Sequence, residues 1–256
     1  MKKQLAPEEK HFLQFDRNTL DNYSGFTIWG KGSLGGKALG LAFIKETLEN
    51  TFENNNYKKI RVTIPNMGVI CTDYFDLFMK QNNLYEIAYS DSSDATIARA
   101  FQKASLPAQI VGDLRSITTK VRNPLAIRSS SMLEDDMYEP FAGVYGTKMI
   151  PNNHPSPDIR FEKLREAIKF VYASTFFKTA KDYIKAVGKS FKDEKMAVII
   201  QDVVGLPHNG RYYPHISGVA RSYNFYPTGN AIPDEGVVNL ALGLGKTIVD
   251  NGLSWN

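Results

Sequence analysis

Large apolar side chains recur at helical spacing in some stretches of the chain and form short unbroken runs in others, and the two patterns alternate. Residues 1–24 intersperse charge with Phe12, Leu13, Phe15 and Leu20, which predicts a short helix or arm docking on a larger body. Five glycines between positions 30 and 40 precede Leu41, Phe43, Ile44 and Leu48, so a glycine-rich turn opening a helix is expected. The polar stretch 50–59 separates this unit from a β-rich run over 60–70, interrupted by Pro65. Helical patterning follows, with Tyr74, Phe75, Leu77 and Phe78 in one segment and Ile97, Phe101 and Leu106 in the next. Pro107 is placed to start a further helix carrying Ile110, Val111, Leu114 and Ile117. Residues 124–128, PLAIR, predict a strand ending in a cation, residues 129–146 a polar loop, and VYGTKMI a strand leaving it. Two helical segments, 158–175 and 176–191, lead to MAVIIQDVV, a β-branched run that reads as a buried strand. SGVARSYNF and GVVNLAL are strand-like too. With helices and strands mixed throughout and no internal repeat, the fold class is α/β or α+β.

Composition narrows the function classes. A chain of 256 residues, 43% hydrophobic, can bury a substantial core as one large domain or two lobes. Thirty-one basic against 27 acidic residues give a net charge of +4, too small and too spread to make nucleic-acid binding the leading reading, although it suits an anionic ligand. The single cysteine, Cys71, excludes an internal disulfide framework and fits a reducing compartment. The N-terminus runs from lysines into Pro7, Glu8 and Glu9, unlike a signal peptide. No apolar run approaches the ~20 residues that a bilayer span needs. A soluble cytoplasmic protein without membrane contact is expected.

Two phosphate-binding signatures are near misses. Gly30, Gly32 and Gly35 satisfy G-x-G-x-x-G, yet the acidic residue at the right distance, Glu53, lies in a polar loop before the next strand. The run GLGKT at 243–247 ends like a Walker A loop, and Gly36-Lys37 is a second partial match. A glycine is needed five residues before the Gly-Lys pair, where Leu240 and Lys31 stand instead.

Four segments taken together carry a stronger signal: GSLGGKALGLAFI, LAIRSSSMLEDDMYEPFAGVYGT, MAVIIQDVV, and the pair SGVARSYNF and LALGLGKTIVDNG. In this order they resemble the N-terminal ATP-binding domain of the pyruvate phosphate dikinase and phosphoenolpyruvate synthase family. The match runs from about Gly30 to Asp250. The resemblance implies an ATP-grasp-like fold with two lobes, its mixed sheets flanked by helices. Residues 1–24 would then be an N-terminal arm and 25–256 the nucleotide-binding domain.

Lys37 and Arg128 are implied phosphate ligands and catalytic groups, with Ser129 beside them as a further donor. Phosphoryl transfer asks a protein mainly to position and neutralise phosphate, for which Lys and Arg are suited. Arg128, at the end of an apolar strand, would present its guanidinium rigidly; the alternative is a surface arginine paired with Glu134 or Asp135. Lys37, at the mouth of the glycine turn, would be helped by helix N-terminal amides; read alone it is a solvated helix lysine. Gly143, Val144, Tyr145, Gly146 and Thr147 resemble the phosphate-covering loop, in which glycines let backbone approach a ligand, and an ordinary β-turn is the plain alternative. Gln201 and the backbone of Val203 are implied to read adenine, against a buried glutamine satisfied by main chain.

The acidic cluster Glu134, Asp135, Asp136 and Glu139 is read as a solvated loop, and the four histidines show no metal-ligand spacing. The family's Mg²⁺ ligands, its phosphorylated histidine and its acceptor-binding domain are expected beyond Asn256, so the chain alone is expected to be inactive. Lys246 stands where the family has glutamate, and Arg221 and Phe225 replace its Phe and Pro. These departures motivate a second reading, a non-catalytic nucleotide-sensing or partner-binding module.

Overall fold

The computed structural model describes residues 12–17, 25–51, 60, 62–131, 133, 143–190 and 194–245. They fall into two compact units, residues 1–203 and 204–256.

The first unit is built on a six-stranded sheet. Its strands are β1 (Phe12–Gln14), β2 (Phe26–Trp29), β3 (Met67–Ile70), β4 (Leu125–Ser131), β5 (Thr147–Ile150) and β6 (Met196–Asp202), in the spatial order β1-β2-β3-β6-β4-β5. β1, β2 and β3 run parallel, while β6 is antiparallel to both β3 and β4. The sheet is therefore mixed, and β6, last of the six in sequence, is inserted between β3 and β4. Its run of six buried residues is what a strand covered on both faces requires. The arm expected before residue 25 contributes β1, an edge strand and not a helix, at its described residues.

Register divides the sheet into two faces. On one face Met67, Val69, Ala197 and Ile199 are buried beneath α1 (Gly36–Thr51). The helix contacts them through Ala38 and Ala42, both fully buried, whereas Phe43 and Ile44 are 60% and 48% exposed. The expected apolar stripe is thus displaced: small residues one turn apart let the helix lie close to the strands.

On the other face Trp29, Ile70, Ile127, Val198 and Ile200 join the larger core. It is covered by α2 (Thr72–Gln81), α3 (Tyr85–Tyr89), α4 (Asp94–Lys103), α5 (Ala108–Lys120), α6 (Pro157–Ser174) and α7 (Lys178–Ala186). Phe75, Phe78, Phe101, Tyr172 and Phe176 form its aromatic centre, with ring centroids 5.2–6.2 Å apart. Such pairs add ~0.5–1.5 kcal/mol beyond the area they bury.

Helix boundaries follow local chemistry. Ser93 caps α4 by accepting from the Thr96 amide, and Pro107, lacking an N–H, stands just before α5. The β-run expected over 60–70 is reduced to Met67–Ile70, after Pro65. Residues 129–131, expected in a loop, extend β4, because each pairs with β6 between Met196 and Val198.

The second unit holds two antiparallel ribbons. One pairs β7 (Leu206–His208) with β8 (Arg211–Tyr213) through a turn at Asn209-Gly210, both with positive φ. The other pairs β9 (Ile216–Arg221) with β10 (Val237–Leu242).

Candidate functional site

The glycine-rich segment before α1 is a clasp around the start of α2. The Lys31 amide donates to the Asp73 carboxylate at 3.0 Å and the Ser33 amide to the Thr72 hydroxyl at 2.9 Å, while the Thr72 amide returns to the Ser33 carbonyl at 3.0 Å. A Cβ on Gly30 or Gly32 would strike these same groups. Two amides that a phosphate-cradling loop would offer to a ligand are therefore given to α2.

The clasp delivers Lys37 to the first turn of α1. Gly35, at φ +73°, lies so close to the Ser130 carbonyl that a Cβ would collide with it. Ser130, fully buried, closes the joint: its hydroxyl accepts from the Ala38 amide at 3.0 Å and donates to the Leu34 carbonyl at 2.8 Å. This is an N-cap supplied from another element, and no local motif announces it because its two halves are over 90 positions apart. Lys37, half-buried, donates from Nζ to Ser129 Oγ at 3.3 Å. Ser129 is itself buried, and its hydroxyl holds the lysine.

Arg128 sits in the middle of β4 and not at its end, because the strand continues through the serines. It is opposite Ile199 on β6 and Thr147 on β5, which places it on the same sheet face as α1. Its guanidinium donates from one terminal nitrogen to Gln201 Oε1 at 3.0 Å. Among the described residues it meets no carboxylate; Glu134 and Asp135, the alternative partners, lie outside them. A half-buried arginine with a neutral side-chain partner keeps its charge for an anion.

Gln201 is 7% exposed, on a strand flanked by β3 and β4, with Met67 and Ala126 opposite it. Its oxygen is committed to Arg128, so the two candidates form one unit. The Val203 amide donates to the Pro124 carbonyl at 2.9 Å, turning the chain as β6 ends. Between them, Asp202 accepts from Asn66 at 3.4 Å, and burial, only partly offset by Asn66 and the nearby Asn123 amide, raises its pKa above the usual carboxylate value.

In the described part of the covering loop, Gly143 has φ +78° and open space where a Cβ would go. Gly146 differs from expectation. A Cβ there would meet Phe170 and Ser174, and its amide donates to Ser174 Oγ at 2.8 Å, so its lack of a side chain serves the approach to α6. Val144 packs on the core and Tyr145 lies within it, which leaves their backbone as what they can present. Thr147 is exposed at the start of β5. Lys37, Arg128, Ser129, Thr147 and Gln201 are thus brought to one region of the first unit, where β4 meets β5, β6 and α1.

A cavity of about 450 Å³ lies beside the clasp, lined by Ser33, Thr72, Leu133, Lys189, Glu194 and Lys195 among others. None of the candidate residues lines it. Lys246 and the acidic residues from Glu134 to Glu139 lie outside the described residues. Among those described, no group of three or more His, Cys, Asp or Glu is placed to hold a metal, and no helix is long and apolar enough to cross a membrane.

A mixed sheet with a lysine-bearing helix on one face, and an arginine-glutamine pair beside it, define an α+β domain of the ATP-grasp-like class. The chain belongs to the family of the pyruvate phosphate dikinase AMP/ATP-binding domain, whose model matches residues 31–254. It is an ATP-binding domain of the dikinase type. Among curated proteins none matches the chain significantly.

Proposed function

We propose that residues 25–256 bind ATP with Lys37 and Arg128 on its phosphates, residues 143–147 over them, and Gln201 with the Val203 backbone at adenine. The observation that carries this reading is the half-buried Arg128, held by a neutral glutamine on the α1 face of the sheet. Burying an arginine without a carboxylate is costly, and a ligand phosphate offsets that cost through charge-assisted bonds of roughly 1.5–3 kcal/mol each. The bound nucleotide would be a phosphoryl donor, and the chain's work would be to fix the phosphates and screen their charge. A histidine on a separate domain would accept the phosphoryl group in a cytoplasmic, ATP-dependent phosphotransferase. Mg²⁺ belongs to the same proposal, but no described residue is assigned to it.

Titration calorimetry with ATP and Mg²⁺ tests the assignment. Lys37→Ala and Arg128→Ala should each weaken binding about tenfold or more, equivalent to about 1.4 kcal/mol per decade, with circular dichroism unchanged. Unaltered affinity in both variants would sink it.

A second reading, a nucleotide sensor without transfer activity, is favoured by Lys246, Arg221 and Phe225, which depart from the family pattern. Radiolabel from ATP reaching the phosphohistidine domain of a family member, mixed with this chain, would eliminate that reading.

A further inference from the structure

We infer that the cavity between β5 and α6, on the sheet face opposite Arg128, is a binding site for a small organic carboxylate with an apolar body. The cavity measures about 410 Å³, within the usual range of roughly 300–1,000 Å³ for small-molecule pockets. Ile150, Ala167 and Phe170 supply its apolar wall.

Its charges do not cancel internally. Glu166 is paired with Lys163 at 2.8 Å and Glu162 with Arg165 at 2.5 Å, so both lining carboxylates already have cationic partners. Lys148 and Lys169, which also line it, form no ion pair with a carboxylate among the described residues, although the Glu162 and Glu166 charges act on Lys169 from a distance. Lys169 is 2% exposed, and its ammonium donates to the Gln102 carbonyl and, at 3.3 Å, to the Ala104 carbonyl. Burial, reinforced by the nearby Arg165 charge and only partly opposed by Glu162 and Glu166, weakens its hold on its proton. Lys148 stands 5.9 Å from the centre of the Phe170 ring.

A buried ammonium hydrogen-bonded only to neutral carbonyls is expensive, and a closely paired counter-charge offsets part of that cost. A carboxylate between Lys148 and Lys169 supplies that charge, and a ring or alkyl body against Phe170 and Ile150 removes apolar surface from water. Strand alternation keeps this site separate from the nucleotide region: Thr147 is opposite Arg128, whereas Lys148 is opposite Ile127 and belongs to the other face. The inference therefore does not rest on the nucleotide reading.

The test is calorimetric and NMR titration of the full chain with benzoate, inorganic phosphate and benzyl alcohol. Saturable benzoate binding is expected, with amide shifts centred on β5 and α6, persisting in saturating ATP and weakened about tenfold by Lys148→Gln and by Lys169→Gln. Lys148 is exposed, so its variant remains informative if the Lys169 variant does not fold. Absence of benzoate binding, or affinity unchanged in Lys148→Gln, overturns the inference. So does competition by ATP, which would merge the two sites. Phosphate binding as tightly as benzoate, or benzyl alcohol binding equally well, overturns the carboxylate assignment.

Discussion

Arg128 and Gln201 are coupled, and their bond makes the site sensitive to one change of charge. Gln201→Glu would convert a neutral acceptor into a buried counter-ion. The expected outcome is ATP affinity reduced about tenfold or more, measured by calorimetry, without loss of thermal stability. Asp202, next along β6, provides a pH signature. Its pKa is raised in the folded state, so its contribution to stability is fully present below the unfolded carboxylate pKa and is lost as pH rises through the folded value. One of its oxygens is buried without a hydrogen-bond partner. Asp202→Asn should therefore raise the melting temperature at pH 7, and the gain should vanish below about pH 4, as melting curves across pH would record.

At the scale of elements, the joint between α1 and β4 positions Lys37. Ser130→Ala removes the partner of the Ala38 amide and of the Leu34 carbonyl at a fully buried position, and should cost about 1–3 kcal/mol in urea unfolding. Gly35→Ala adds a collision with the Ser130 carbonyl to a backbone at positive φ, and should cost more than Ser130→Ala in the same measurement. Both should lower ATP affinity by moving Lys37.

The limits of sequence reading lie at this same joint. Lys37, Arg128 and Gln201 are legible as candidates because each sits in a motif of local spacing. Ser130 was not, since its role as a cap exists only once β4 lies against α1. The stripe of Leu41, Phe43, Ile44 and Leu48 misled because periodicity weighs large side chains, whereas close packing on a sheet selects small ones such as Ala38 and Ala42. The serines of β4 read as loop because polarity in a strand makes sense only where facing groups, here Ala38 and Lys37, consume it. Gly146 looked like a ligand-approach glycine, and no local pattern announces Phe170 and Ser174 behind it.

Across the first unit, stability concentrates in the aromatic centre joining α2, α4 and α6 to Phe176. Phe176, 1% exposed, touches Phe75, Tyr89 and Phe101. Phe176→Ala should cost about 3–5 kcal/mol, read as a lowered denaturation midpoint, while any ATP affinity that survives at low temperature should be little changed, because this core lies on the face away from Arg128.

The place of β6 has a consequence for how the protein is made. Ile70 and Val198 are paired neighbours separated by 128 positions, so the sheet is closed by a contact of high sequence separation, the kind that slows folding. A ribosome releases β3 and β4 long before β6, and until then each presents an open edge to other chains. Chains interrupted between β5 and β6 would carry two such edges and no means of joining them, which makes chaperone demand and aggregation during synthesis a property of strand order itself.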